Sequence, residues 1–337
     1  MIMNVKTASI CLKACLVLFG LLSGLVISHF ALKAMRSLKA GSEFENVAEL
    51  RAAMLQDSPS RPGNTLNLRE LINPHPNDRI IFDLRPGLDV TFQGERVTTN
   101  SCGMRDKERS LRKPPGTYRI ALLGDSFAFG WGVHQDRSFA AVLERELNRL
   151  AAGRRKFEVL NFGVPGYSTF QEVELFKEKG LDFEPDAVLV YFVSNDFGFP
   201  FYVHDIQKQG GLLPAVEFVQ LARRAFQPAM EQQRLIEAGL DPNRALKQLA
   251  EIAQERGMDL KIMINLTKNM KELVRQLWVL RTRPDIGRIR FAEDLKKMIE
   301  LRGLTPRELQ LPSDPHPSAA KHELLGLLIV PYYMNLI

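Results

Sequence analysis

A serine, an aspartate and a histidine in two short polar turns carry the chemistry that this 337-residue chain can offer. Ser126 stands in Gly124-Asp125-Ser126, directly after the apolar run Ile120-Ala121-Leu122-Leu123. Asp314 and His316 stand in Ser313-Asp314-Pro315-His316-Pro317, near the C-terminus. A serine hydroxyl is a weak nucleophile at neutral pH and needs an adjacent base, most often a histidine oriented by a carboxylate. Asp314 and His316 are of the types that can supply both. Acyl transfer also needs donors where the oxyanion of its tetrahedral intermediate forms. Backbone amides at Ser126 and Gly163 and the side chain of Asn195 are donors of that kind. A glycine-rich turn after a strand can instead cradle phosphate, but the Lys-Ser/Thr pair of a P-loop and the GxGxxG spacing are both missing here. The six histidines show no metal-binding spacing of the HExxH type, so neither a metal nor a cofactor is expected.

These residues must be brought together by the elements before them. Ile120–Leu123, Phe157–Phe162 and Ala187–Val193 are short and almost wholly apolar, as strands buried on both faces are. Ser126, Gly163 and Asn195 each follow one of these runs, so all three are expected at the carboxyl edge of one sheet, where open α/β sheets hold their ligands. Helices are predicted over about 138–151, with Asp136 as its cap, over 169–179, over 291–301 and from Ser318 onward. Leu260–Leu266 reads as a further strand, and about 198–257, punctuated by Pro214, Pro228 and Pro242, as a helical insertion. Strand and helix in alternation predict an α/β domain over 118–337: a doubly wound, mostly parallel sheet with helices on both faces.

The N-terminal part differs in kind. Five of the 45 basic residues and none of the 39 acidic ones fall in residues 1–40, which leaves 40 basic against 39 acidic, a net +1, for the rest. The basic pI is thus a property of the N-terminus, and no nucleic-acid partner is expected. Ala14–Leu32 is a 19-residue apolar run with basic flanks. It is long enough for a transmembrane helix, and 1–40 is expected to be an uncleaved membrane anchor. Residues 41–78 read as a stalk with a short helix near Phe44–Leu55, and 79–117 as a small β-rich extension. Only Cys102 of the three cysteines lies beyond residues 1–40, so a disulfide within the remainder is excluded.

Four blocks in order, Gly124-Asp125-Ser126, Gly163 in NFGVPGYST, Asn195 in Ser-Asn-Asp, and Asp314-Pro315-His316-Pro317, make the chain resemble the SGNH or GDSL-type hydrolases. The resemblance covers about Tyr118 to the C-terminus, and 100–105 resembles bacterial members with an N-terminal β extension. It implies a flavodoxin-like three-layer sandwich, with Ser126 as nucleophile, His316 as general base and then acid, and Asp314 as the orienting carboxylate. Ser126, Gly163 and Asn195 would form the oxyanion hole. Asp125 is expected to brace its turn, and Asn161 and Asp196 to hydrogen-bond nearby loops. Two departures stand out: the acid and base are spaced D-x-H where many members have D-x-x-H, and the third block lacks its usual glycine. His322 is read as structural. Arg105 is expected in a salt bridge or reaching the site, and Phe129 and Trp131 in the core or lining a pocket. The implied activity is a serine esterase acting on an O-acyl ester of a small molecule, lipid or glycan, from the periplasmic face of a bacterial inner membrane. Two alternatives stay open: an acyltransferase or deacetylase of an envelope or extracellular polysaccharide, and a non-catalytic envelope scaffold.

Overall fold

The computed structural model describes residues 13, 17–24, 26–29, 68–77, 79–193, 196, 241–264, 274–312 and 314–337. The chain divides into two units, Met1–Ala52 and Ala53–Ile337. In the first, residues 17–24 and 26–29 are helical, with Val17, Phe19 and Ile27 exposed. Among the described residues no helix is long and apolar enough to cross a membrane, and the rest of the expected anchor lies outside them. The expected stalk helix near Phe44–Leu55 is also outside the described residues.

The second unit begins with two small antiparallel pairs. Strand β1 (Ile72–Pro74) pairs with β2 (Phe82–Leu84), and β3 (Asp89–Phe92) forms a hairpin with β4 (Glu95–Thr98). Thus Ile72–Pro74, inside the stretch read as stalk, supplies a strand to the β-rich part. Five parallel strands follow: β5 (Thr117–Leu123), β6 (Lys156–Asn161), β7 (Ala187–Phe192), β8 (Asp259–Ile264) and β9 (Gly287–Arg290), in the order β6-β5-β7-β8-β9. A last hairpin joins β10 (Gln310–Leu311) to β11 (Asp314–Pro317).

The helices are α1 (Ser126–Phe129), α2 (Phe139–Ala151), α3 (Thr169–Glu178), α4 (Pro242–Arg256), α5 (Val279–Thr282), α6 (Ala292–Leu301) and α7 (Ala319–Ile329). The sheet is covered on both faces because successive strand residues point to opposite sides and nearly all are apolar. Ala121, Leu123, Val188, Val190 and Ile262 pack with Val173 and Phe176 of α3 and Leu246 and Leu249 of α4. Ile120, Leu122, Leu189 and Tyr191 pack on the other face with Leu143 and Leu147 of α2 and Leu324 and Leu325 of α7. The expected three layers are therefore present, with all five strands parallel.

Two local readings change. The cap of α2 is Ser138, whose hydroxyl accepts from the Ala141 amide at 3.3 Å; Asp136 lies instead in a 3-10 turn before it, Gln135–Arg137. Of the expected insertion, 198–240 is outside the described residues, whereas α4 is a core helix that buries Ala245, Leu246, Leu249, Ala250 and Ala253. The chain leaves β5 toward β6 and then crosses back to β7 on the other side. β5 therefore stands at the switch of the strand order, and its carboxyl end opens into the crevice that this reversal creates.

Candidate active site

Ser126 is the first residue of α1, immediately beyond β5. Its position follows from the cap: Asp125 Oδ1 accepts from the Phe127 amide at 2.9 Å, which turns the chain out of the strand into one turn of helix. Asp125 thus braces the turn as expected. The Ser126 amide is the first of the helix, one that no carbonyl of the same helix can reach.

His316 and Asp314 come from β11. The short D-x-H spacing works because residues i and i+2 of an extended strand project to the same face. Asp314 Oδ1 accepts from the His316 amide at 2.8 Å and lies 2.5 Å from His316 Nδ1. On the other side of the ring, His316 Nε2 lies 2.8 Å from Ser126 Oγ. The three side chains thus form a continuous relay across 190 residues of sequence. Burial works against the charge on Asp314, but hydrogen bonds from the His316 amide and ring and from Trp131 hold its carboxyl below the usual range. Asp314 is therefore ionised at neutral pH, and it holds His316 Nδ1 with Nε2 turned toward Ser126.

Gly163 follows β6 in a crowded place. A β-carbon there would overlap the Phe129 amide nitrogen, so only glycine lets this loop lie against α1. Its amide donates to Asn161 Oδ1 at 2.9 Å, while Asn161 Nδ2 donates to the Ala128 carbonyl at 3.0 Å. Asn161 therefore ties the second block to α1, the helix that carries Ser126, as expected of it. For the Gly163 amide to face an oxyanion, it must share or give up its bond to Asn161. Asn195 lies outside the described residues; the next residue, Asp196, is buried and accepts from the Val193 amide at 2.5 Å. No group of three His, Cys, Asp or Glu able to hold a metal occurs among the described residues.

Other residues resolve differently. His322 is fully buried, its Nδ1 accepting from the Phe139 amide at 3.2 Å, and burial presses its pKa down to about 3. It stays neutral in the core. Arg105 takes neither expected role. Its guanidinium donates to backbone carbonyls, Phe129 at 2.9 Å, Val133 at 2.6 Å and also Gly130, and lies over the Phe129 ring. Burial lowers its pKa to about 10, so it remains charged at neutral pH. Phe129 is core, whereas Trp131 touches the relay: its Nε1–H donates to Asp314 Oδ2 at 3.2 Å and its ring stacks on His316. Sequence reasoning missed this contact. The signal available was Gly130-Trp131-Gly132, an indole donor on a tight turn five residues beyond Ser126.

The family model described as "GDSL-like Lipase/Acylhydrolase family" matches residues 122–324, from the end of β5 into α7. Among solved structures, the chain is similar to a lipase/acylhydrolase from Enterococcus faecalis, at 17% identity over 65% of this chain and 96% of that one, with a TM-score of 0.40. It is also similar to an acetyl xylan esterase, at 10% identity over 64% and 100% of the two chains, with a TM-score of 0.42. A two-domain esterase active on acetylated mannans is 16% identical over 65% of this chain and 49% of its own, with a TM-score of 0.40. No curated protein matches.

Proposed function

Because the chain belongs to the GDSL-like lipase/acylhydrolase family and is thus a hydrolase, we propose that it cleaves an O-acyl ester of a small molecule, lipid or glycan through an acyl-enzyme on Ser126. Ser126 Oγ attacks the ester carbonyl carbon as its proton passes to His316 Nε2. The carbon–oxygen bond to the alcohol then breaks, and the alcohol leaves with that proton. Water attacks the acyl-enzyme in the same way, giving its proton to Nε2, and Ser126 Oγ departs with it as the acid is released. Asp314 stays ionised throughout and stabilises the imidazolium. The Ser126 amide and the Asn195 carboxamide receive the oxyanion, joined by the Gly163 amide as it turns from Asn161.

The observation that supports this reading is the relay Ser126 Oγ–His316 Nε2 at 2.8 Å and His316 Nδ1–Asp314 Oδ1 at 2.5 Å. Hydrolysis of p-nitrophenyl acetate by purified Ser126→Ala tests it. The expected loss in kcat is about a thousandfold or more, with the melting temperature unchanged. Parental turnover by that variant overturns the mechanism.

We further propose that residues 14–32 hold the protein in a bacterial inner membrane, with the hydrolase unit on the periplasmic side. The apolar run and its basic flanks support the anchor, whereas the near-equal basic residues on its two sides do not choose the orientation, which protease access reads. The full chain should resist alkaline carbonate extraction, and protease added to intact spheroplasts should remove the hydrolase unit. Release by carbonate, or protection in intact spheroplasts, counts against it.

A further inference from the structure

The N-terminal β extension reaches the relay through one side chain, Trp131, which Phe92 packs against and which binds the second oxygen of Asp314. Asp314 Oδ1 is occupied by His316 alone. Asp314 Oδ2 accepts from Trp131 Nε1–H at 3.2 Å. Both oxygens are therefore held, and the carboxylate cannot turn away from the ring. The Trp131 indole also lies flat against His316, with ring centroids 4.8 Å apart and planes at 14°, while Phe127 flanks the imidazole at 5.5 Å.

Trp131 is itself fixed from three directions. Phe92, at the tip of the β3–β4 hairpin and 1% exposed, packs edge-on against it, with centroids 4.7 Å apart and planes at 81°. Arg105 gathers the carbonyls of Phe129, Gly130 and Val133, so its fork closes the turn that carries Trp131. Gly132, with φ +64°, brings that turn against Leu311 of β10, where a β-carbon would overlap the leucine side chain. Two of these three braces, Phe92 and Arg105, precede β5 and lie before the matched family region.

We infer that Trp131 is a positioning residue for Asp314 and His316, and that the N-terminal extension, through Phe92 and Arg105, forms part of the active-site apparatus. This rests on the hydrolase reading of Ser126, His316 and Asp314 given above. The physical reason is differential. The indole face meets an imidazole that becomes a cation only as the reaction proceeds, and a cation over an aromatic face is favoured. The Nε1–H fixes the carboxylate that stabilises that same cation. Both contacts act on the transition state more than on bound substrate, so their loss should appear in kcat and leave KM alone.

The test uses the full chain and p-nitrophenyl acetate as the probe. Trp131→Phe removes the donor and keeps a ring; kcat should fall about tenfold with KM within about twofold of the parent. Phe92→Leu leaves Trp131 unbraced and should lower kcat about threefold, and Phe92→Tyr, which keeps the edge-on ring, should restore it. Trp131→Phe with parental kcat, or a loss confined to KM, overturns the inference. If Trp131→Phe does not fold, Phe92→Leu decides: parental kcat overturns the inference, and a kcat loss rescued in Phe92→Tyr supports it. Ser126→Ala separates the two ideas. Inactive Ser126→Ala beside parental Trp131→Phe sinks the inference alone, whereas active Ser126→Ala sinks the hydrolase reading and the inference with it.

Discussion

Both ends of the β5–β6–β7 strands bury charge, and they settle it in opposite ways. At the amino end, each buried cation meets carboxylates. Arg119 Nε donates to Glu158 at 2.9 Å, and Arg109 reaches Asp106 at 2.9 Å and Glu144 at 2.6 Å. The Arg119 amide donates to Asp186 at 2.8 Å, and Lys113 pairs with the same carboxylate. At the carboxyl end, where the relay lies, opposite charges do not meet in pairs. Arg105 is compensated by carbonyl dipoles, with no carboxylate of the described residues in ion-pair range. Glu172 and Asp196 are buried, and burial raises both pKa values well above the usual carboxylate range. The amino end clamps the fold with ion pairs. The carboxyl end is kept free of permanent cation–carboxylate pairs, which leaves His316 as the group whose charge changes during the proposed reaction.

The amino end is the place to break this contrast most heavily. Glu158→Gln leaves Arg119 buried without its charge partner and should cost about 3 kcal/mol of stability, because removing one member of a buried pair leaves an uncompensated ion. Thermal or urea unfolding reads the loss. Turnover of p-nitrophenyl acetate per folded molecule should stay at the parental value, since Glu158 lies at the opposite end of the strands from Ser126. A drop in kcat without a drop in stability would dissolve the division between the two ends.

Arg105→Met comes next. It strips the donors from the Phe129, Gly130 and Val133 carbonyls, and unsatisfied buried acceptors should cost about 2 kcal/mol. Unlike Glu158→Gln, it should also lower kcat, because the freed turn carries Trp131. Arg105→Lys should recover only part of both, since a point charge cannot serve three carbonyls as a planar fork does. Equal loss of stability with intact kcat would place Arg105 with the structural arginines of the far end.

The same contrast explains what was legible in the sequence. Apolar runs as pure as Ala187–Phe192 can only be interior strands, and a serine, a glycine and a polar turn at strand ends are local features. The sheet and the Ser126, Asp314 and His316 set could therefore be read from short stretches. The D-x-H spacing looked like a departure until β11 proved extended, which puts both side chains on one face. Gly130-Trp131-Gly132 marks an indole on a tight turn near Ser126, but its partner was not legible, because Asp314 is 183 residues away. Arg105 was misread for a related reason: a guanidinium's usual partner is a carboxylate, and only the fold reveals that three carbonyls converge on it. The α2 cap moved from Asp136 to Ser138 because two acceptable caps lay two residues apart, and the preceding 3-10 turn took the first. The extent of the β extension was missed because Ile72–Pro74 is only three residues long and has no period of its own.

The smallest expected effect probes the buried acids at the carboxyl end. Burial raises the Glu172 carboxyl, as do the nearby charges of Asp196 and Asp125. A folded-state pKa above the unfolded value means that the native protein holds a proton the unfolded chain releases. The stability tied to that proton is full below the unfolded carboxylate range and is lost as pH rises toward the folded value. Because the pair titrates as a unit, the loss belongs to Glu172 and Asp196 together. Glu172→Gln keeps the shape and removes the ionisation. It should match the parent at acid pH and become more stable at neutral pH, by about 1 kcal/mol, the gap widening as pH rises. Melting temperatures of the two proteins across pH 4 to 9 would show it. A gap that is constant with pH, or a variant that loses stability as pH rises faster than the parent, would mean that Glu172 is ionised in the native state and that the carboxyl end of the sheet does carry a buried permanent charge.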